Sequence, residues 1–153
     1  MRRMRGHLAH LMARFREMGE SVASEVEDDV FAARVLTPAE LALWREMDAH
    51  DRRHSVTVAR RFVAVMPSAL REEVAAALLH DVGKSVVRLG RIGRAVATIL
   101  PLTPAMRSYR DHERIGAELL RAGGVSERVV ELVARDVDDE VARALRCADD
   151  AVD

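Results

Sequence analysis

Ala75-Ala76-Ala77-Leu78-Leu79-His80-Asp81-Val82-Gly83-Lys84 is the stretch on which the reading of this chain turns. Its first five residues are small or apolar on every side of a helical wheel, so the spacing predicts a buried helix rather than an amphipathic surface one. That helix ends by delivering a histidine and an aspartate. The negative end of its macrodipole disfavours a carboxylate there, and an unpaired charge in the interior is costly. Cationic side chains or a metal ion must compensate. Taken alone, the dipeptide reads equally as a hydrogen-bonded pair that packs the core.

Outward from this stretch the pattern is helical. No segment alternates apolar and polar residues as a half-buried strand does. Leu8, Leu11, Met12, Phe15 and Met18 trace a stripe near the start, and residues 21–34 read as a linker or a loose helix. Thr37-Pro38-Ala39-Glu40 combines an N-cap hydroxyl, a first-turn proline and a capping-box glutamate. The expected division is an N-terminal helical extension or linker over 1–36 and one domain over 37–153. Within that domain a helix is expected from Asp51 to Met66, stopped by Pro67, and Ser68 should cap a helix that ends at Gly83. Further helices are expected over Arg94 to Leu100, from Thr103-Pro104, over Asp111 to Ala122, over Glu127 to Arg135 behind a Ser126 cap, and over Glu140 to Val152. The fold class is therefore all-α, a single helical bundle.

Composition narrows the function. The 153 residues are 49% hydrophobic and 32% charged, the profile of a globular chain. Aromatics make up only 3%, which argues against a base-stacking surface. A formal net charge of -1 gives no basic footprint for a nucleic-acid partner. Cys147 is the one cysteine, which excludes an intrachain disulfide and suits a reducing compartment. The basic start at Met1-Arg2-Arg3 leads into no signal-peptide core, and the uncharged stretch from Ala95 to Met106 is too short to span a bilayer. The expectation is a cytoplasmic protein with no membrane or nucleic-acid partner.

Two further positions can complete a polar cluster. His54 shares a helical face with Val58, Arg61 and Val65 and so points partly inward. His50 lies one turn earlier, but no glutamate follows it as the zinc-protease helix motif requires. In the last helix Asp149 falls on the stripe of Val141, Leu145, Ala148 and Val152, whereas Asp150 falls with Arg143, Arg146 and Asp153. An aspartate on an apolar stripe needs a cation or several donors.

His54, then His80-Asp81 within a His-Asp-x-Gly-Lys segment, then Asp149 resembles the HD superfamily of metal-dependent phosphohydrolases, over about Thr37 to Asp153. The resemblance implies His54, His80, Asp81 and Asp149 as ligands of one divalent transition metal: Mn, Fe, Co, Ni or Zn. It implies hydrolysis of a phosphomonoester or phosphodiester, a nucleotide for choice, by a water that the metal acidifies. Asp81 and Lys84 are the catalytic candidates, and Lys84, Arg52, Arg53, Arg61 and His112 the candidate substrate contacts. The helix Asp111 to Leu120 is similar to a family helix that often carries an extra ligand. One departure follows it: Val133-Ala134-Arg135-Asp136-Val137-Asp138 holds no histidine where two-metal members have one or two, although Asp136 can stand in as a ligand. The alternative reading is a degenerate domain that binds a nucleotide or a partner protein without turnover, with the stripe near the N-terminus as a docking helix or, preferably, as packing against the bundle.

Overall fold

The computed structural model describes residues 24–88 and 112–152, and every regular element among them is helical. The stripe at Leu8 to Met18, the helix at Arg94 to Leu100 and the one expected from Thr103 lie outside the described residues. Residues 24–35 form helix α1. Then come α2 (Pro38–Arg45), α3 (Ala49–Val65), α4 (Arg71–Leu79), a 3-10 helix over Val82–Arg88, α5 (His112–Ala122), α6 (Glu127–Ala134) and α7 (Glu140–Asp150).

Local chemistry sets most of these ends. Thr37 accepts from the Glu40 N–H while the Glu40 carboxylate accepts from the Thr37 N–H, so the expected capping box opens α2. α3 stops at Met66, because the ring of Pro67 disfavours a helical residue before it. Ser68 does not cap α4. It lies in a turn after Pro67, and α4 starts at Arg71, where the Glu73 carboxylate takes the N–H of Leu70 at 2.8 Å. Ser126 holds the N-cap position of α6, but its hydroxyl makes no capping bond. Asp139 does cap α7, accepting from the Ala142 N–H at 2.8 Å.

α4 is the centre of the bundle. Its residues from Val74 to Leu79 are all buried, with Ala75 to Leu79 fully enclosed, as an uninterrupted run of small and apolar side chains requires. α2, α3 and α6 pack around it, α7 lies on α3, and α5 joins α6 to the 3-10 helix. Ala32 and Leu36, from α1 and the turn after it, belong to the same core as Trp44, Phe62, Val130 and Leu145. Arg60 ties α3 to α1 by pairing with Asp28 at 3.2 Å and lying over the Phe31 ring.

Several buried polar groups are satisfied in pairs, although the hydroxyls of Ser85 and Ser126 find no partner. Trp44, fully enclosed, donates its indole N–H to Ser55 Oγ at 3.0 Å, and that hydroxyl donates to the Arg52 carbonyl at 2.8 Å. Glu40, only 1% exposed, takes both terminal nitrogens of Arg71, which also donates to the Val35 carbonyl. One guanidinium thereby fastens α4 to α2 and to the end of α1.

The tightest backbone approach lies where the 3-10 helix meets α5. A Cβ at Gly83 would stand 1.8 Å from the His112 carbonyl oxygen and 2.8 Å from the Gly116 nitrogen. Both neighbours are backbone and neither can rotate away. Gly83→Ala is therefore expected to lower stability by about 1–3 kcal/mol through overpacking, read as an earlier midpoint in urea at an unchanged slope. A variant as stable as the parent would mean that the turn and α5 do not meet this closely.

Candidate metal centre

Three elements converge on one point. α3 supplies His54 from mid-helix, the end of α4 supplies His80 and then Asp81, and the last turn of α7 supplies Asp149. His54 and His80 present their rings 5.4 Å apart between centroids. Both His54 Nε2 and His80 Nε2 lie 3.2 Å from Asp149 Oδ1. Asp81 Oδ2 lies 3.5 Å from His80 Nε2 and 4.0 Å from His54 Nε2. All four side chains are at most 15% exposed.

Those separations have a chemical meaning. Nitrogen and oxygen ligands sit about 2.0–2.2 Å from a transition-metal ion. Two donors on a shared ion are then about 3.0 Å apart at a right angle and about 3.4 Å apart at a tetrahedral angle. The contacts of Asp149 with both imidazoles, at 3.2 Å, fall between these values, and those of Asp81, at 3.5 and 4.0 Å, lie just beyond them. His54, His80 and Asp81 can thus face one ion with atoms already gathered within 4.8 Å of one another.

The protonation pattern points the same way. His80 Nδ1 donates to the Ala77 carbonyl at 2.8 Å, which fixes the neutral ring with its lone pair on Nε2. That Nε2 is buried and lies beside Asp149 Oδ1, off the line of a hydrogen bond. A lone pair set against carboxylate oxygens is repulsive unless a proton or a metal ion comes between them. Without a metal, the proton takes that place. Burial by itself would lower the His80 pKa, but the contact with Asp149 and the charges of Asp81 and Asp149 outweigh it, and the net shift is upward from 6.5. The same contact with His80, against the opposing effect of burial and with help from His54, lowers the Asp149 carboxyl to about 2.

Lys84 stands beside the cluster, its Nζ 2.7 Å from Asp81 Oδ2. Asp150, the neighbour of Asp149, is exposed. The three candidate arginines are not gathered here, because each has other partners. Arg52 lies over the Trp44 ring and donates to the Arg45 carbonyl. Arg53 lines a separate hollow with Glu25 and Asp28 of α1. Arg61 donates to the Ala151 carbonyl at the end of α7. His112 opens α5 with its carbonyl against Gly83, and Asp136 is exposed past the end of α6.

Two residues at the site were not singled out from the sequence. Next to His80 and Asp149 is a small, solvent-open hollow, also lined by Glu113, Arg135 and Arg146. Arg135 Nε forms an ion pair with Glu113 Oε1 at 2.8 Å, and its Nη2 donates a long hydrogen bond to Asp149 Oδ2 at 3.4 Å. The sequence signal for Glu113 was its place beside His112 in the first turn of α5. Arg135 gave none, since an arginine ending a short helix is ordinary.

A family model described as an HD domain matches residues 52–151. Neither the curated proteins nor the solved structures give a significant match to the chain.

The paired shifts set a pH window for the protein stripped of metal. Asp149, lowered, contributes stability that is present above its ordinary 3.8 and is lost as the pH falls toward about 2. His80, raised, contributes stability that is present below 6.5 and is lost as the pH rises through its higher folded value. Chelated protein should therefore be less stable on both sides of that window, and Asp149→Asn should flatten both limbs. Melting curves across pH 2 to 9 check this, and an unchanged profile in Asp149→Asn would count against it.

Proposed function

The chain belongs to the HD-domain family, and from that membership we propose that it is a metal-dependent phosphohydrolase acting on a phosphomonoester or phosphodiester, with a nucleotide as the favoured substrate class. The observation that carries this reading is His80 Nε2, a buried lone pair among carboxylate oxygens with its other ring nitrogen tied to a carbonyl. We assign His54, His80, Asp81 and Asp149 as the residues that would hold one divalent transition metal. Two imidazoles and two carboxylates suit Mn, Fe, Co, Ni or Zn. Such an ion supplies Lewis acidity toward a phosphoryl oxygen and toward water.

The residues around it have separable tasks. Ala77 holds the His80 ring in the tautomer that presents Nε2. Lys84 neutralises Asp81 and keeps a cation at the mouth of the cluster, where charge develops on a phosphoryl group during transfer. Asp81, enclosed at 3% exposure, accepts a hydrogen bond in a direction fixed by Lys84 and can orient a water molecule by the same oxygen. The substrate is a soluble phosphorylated molecule on this reading. No helix among the described residues is long and apolar enough to cross a membrane.

Two comparisons test the assignment. Asp149→Ala should abolish metal retention, measured by elemental analysis, whereas Asp150→Ala should retain it. Equal losses would remove Asp149 from the ligand set. Asp81→Ala should abolish metal-dependent hydrolysis of nucleotides and of a chromogenic phosphoester. Lys84→Ala should keep the metal while the rate falls by roughly ten- to a thousandfold. A metal-loaded protein that binds a nucleotide but turns over no phosphoester would establish the binding-module alternative instead.

A further inference from the structure

Of the arginines the sequence offered as phosphate contacts, Arg52, Arg53 and Arg61 have partners away from the cluster. A different guanidinium stands at the hollow beside His80 and Asp149. Resting on the hydrolase reading above, we propose that Arg135 is the residue that holds the phosphoryl oxygens of the substrate.

The backbone gives the first reason. Arg135 lies in the left-handed region, with φ 57° and ψ 29°, and is the only non-glycine with positive φ among the described residues. Its N–H bonds to the Leu132 carbonyl, and the next N–H closes on Glu131 at 3.0 Å. Main-chain groups therefore stop α6, and a glycine would serve that turn with less strain. Nothing in the helix stop requires an arginine, so its presence is explained by what the side chain does.

The side chain gives the second reason. Nε is paired with Glu113 at 2.8 Å, and both residues line the hollow. The terminal nitrogen Nη2 reaches Asp149 Oδ2 only at 3.4 Å, the long end of a contact. The side chain is 43% exposed, so its terminal N–H groups are accessible to an incoming anion. A guanidinium fork matches two oxygens of one phosphoryl group. Arg146 also lines the hollow, but Asp138 holds its guanidinium with a close ion pair. The carboxylates of Glu113, Asp149 and Asp81 would otherwise repel a phosphate approaching from this side. Arg135 offsets two of them by direct contact.

The test uses the full chain, loaded with whichever of Mn, Fe, Co, Ni or Zn raises its melting temperature most, and titrated calorimetrically with inorganic phosphate. Arg135→Gly suits the backbone, so the variant should fold with an equal or higher melting temperature and an unchanged metal content. Its phosphate affinity should fall by roughly 10- to 100-fold. Arg135→Lys, which keeps the charge and loses the fork, should fall between the two. Unchanged phosphate affinity in Arg135→Gly overturns the assignment while leaving the hydrolase reading intact. Loss of metal together with phosphate also overturns it, since Arg135 would then act by supporting Asp149. A metal-loaded parent with no affinity for phosphate removes the hydrolase reading, and this inference with it.

Discussion

Gly83 is pressed against the first turn of α5, with room for no side chain between its Cα and the His112 carbonyl. Both walls of the site hang from that contact. On one side the chain has just left α4 and placed His80 and Asp81, and Lys84 follows at once with its ammonium on the Asp81 carboxylate. On the other side α5 carries Glu113 toward Arg135, while Gly116, where a Cβ would stand 3.3 Å from the Gly83 nitrogen, lets Val82 and Val133 close over the joint. If the turn stood an ångström farther out, the Glu113–Arg135 pair would recede from Asp149. The glycine of His-Asp-x-Gly-Lys is thus a packing requirement of the site as much as a feature of its motif.

Elsewhere the enclosed charges and the Trp44 indole are matched, while the buried hydroxyls of Ser85 and Ser126 are not. Glu40 has Arg71 and the Thr37 N–H, Trp44 has Ser55, and Glu73 has the Leu70 N–H together with Arg128. Each pairing joins different elements or closes a helix start, so the enclosed charges are offset by partners with good geometry. The His54–His80–Asp81–Asp149 cluster departs from this rule. Within it His54 Nε2 lies in hydrogen-bond contact with Asp149 Oδ1 at 3.2 Å, whereas His80 Nε2 faces the same oxygen with no hydrogen-bond partner. A core aiming at stability alone would fill such a place with apolar residues. Arg135 is the matching departure in the backbone.

The fold was legible where the sequence carries strong local chemistry. The Thr37–Glu40 capping box, the stop before Pro67 and the all-round apolar run of α4 each had one good solution, and the structure adopts it. Helical phase was equally informative in α7, where the stripe through Leu145 and Ala148 turns Asp149 toward the histidines and leaves Asp150 exposed. Caps were less legible when a neighbour competed. Ser68 yielded to the turn after Pro67, and Ser126 took the N-cap position without using its hydroxyl. Of the candidate anion contacts Lys84 stands at the cluster, whereas Arg52 and Arg53 have partners elsewhere, because proximity in sequence to His54 says nothing about direction. Residues 52, 53 and 54 on a helix point 100° apart in turn, so Arg52 and Arg53 face Trp44 and α1 while His54 faces the cluster. Arg135 and Glu113 meet Asp149 only through the packing of three helices, which no local pattern encodes.

The same geometry bears on whether one ion is enough for chemistry. The stretch after α6 offers Arg135 at the hollow, while Asp136 is exposed to solvent. The wall supplies a guanidinium there, paired to Glu113 and reaching Asp149. A guanidinium cannot polarise water as a metal does, but it can neutralise and orient phosphoryl oxygens, and its charge persists at every accessible pH. A site so built divides the work between its two walls. The histidine–aspartate wall would hold the ion that acts on water, and the Glu113–Arg135 wall would hold the anion to be attacked. On that reading hydrolysis would depend on one metal and one arginine, held by different walls of the site.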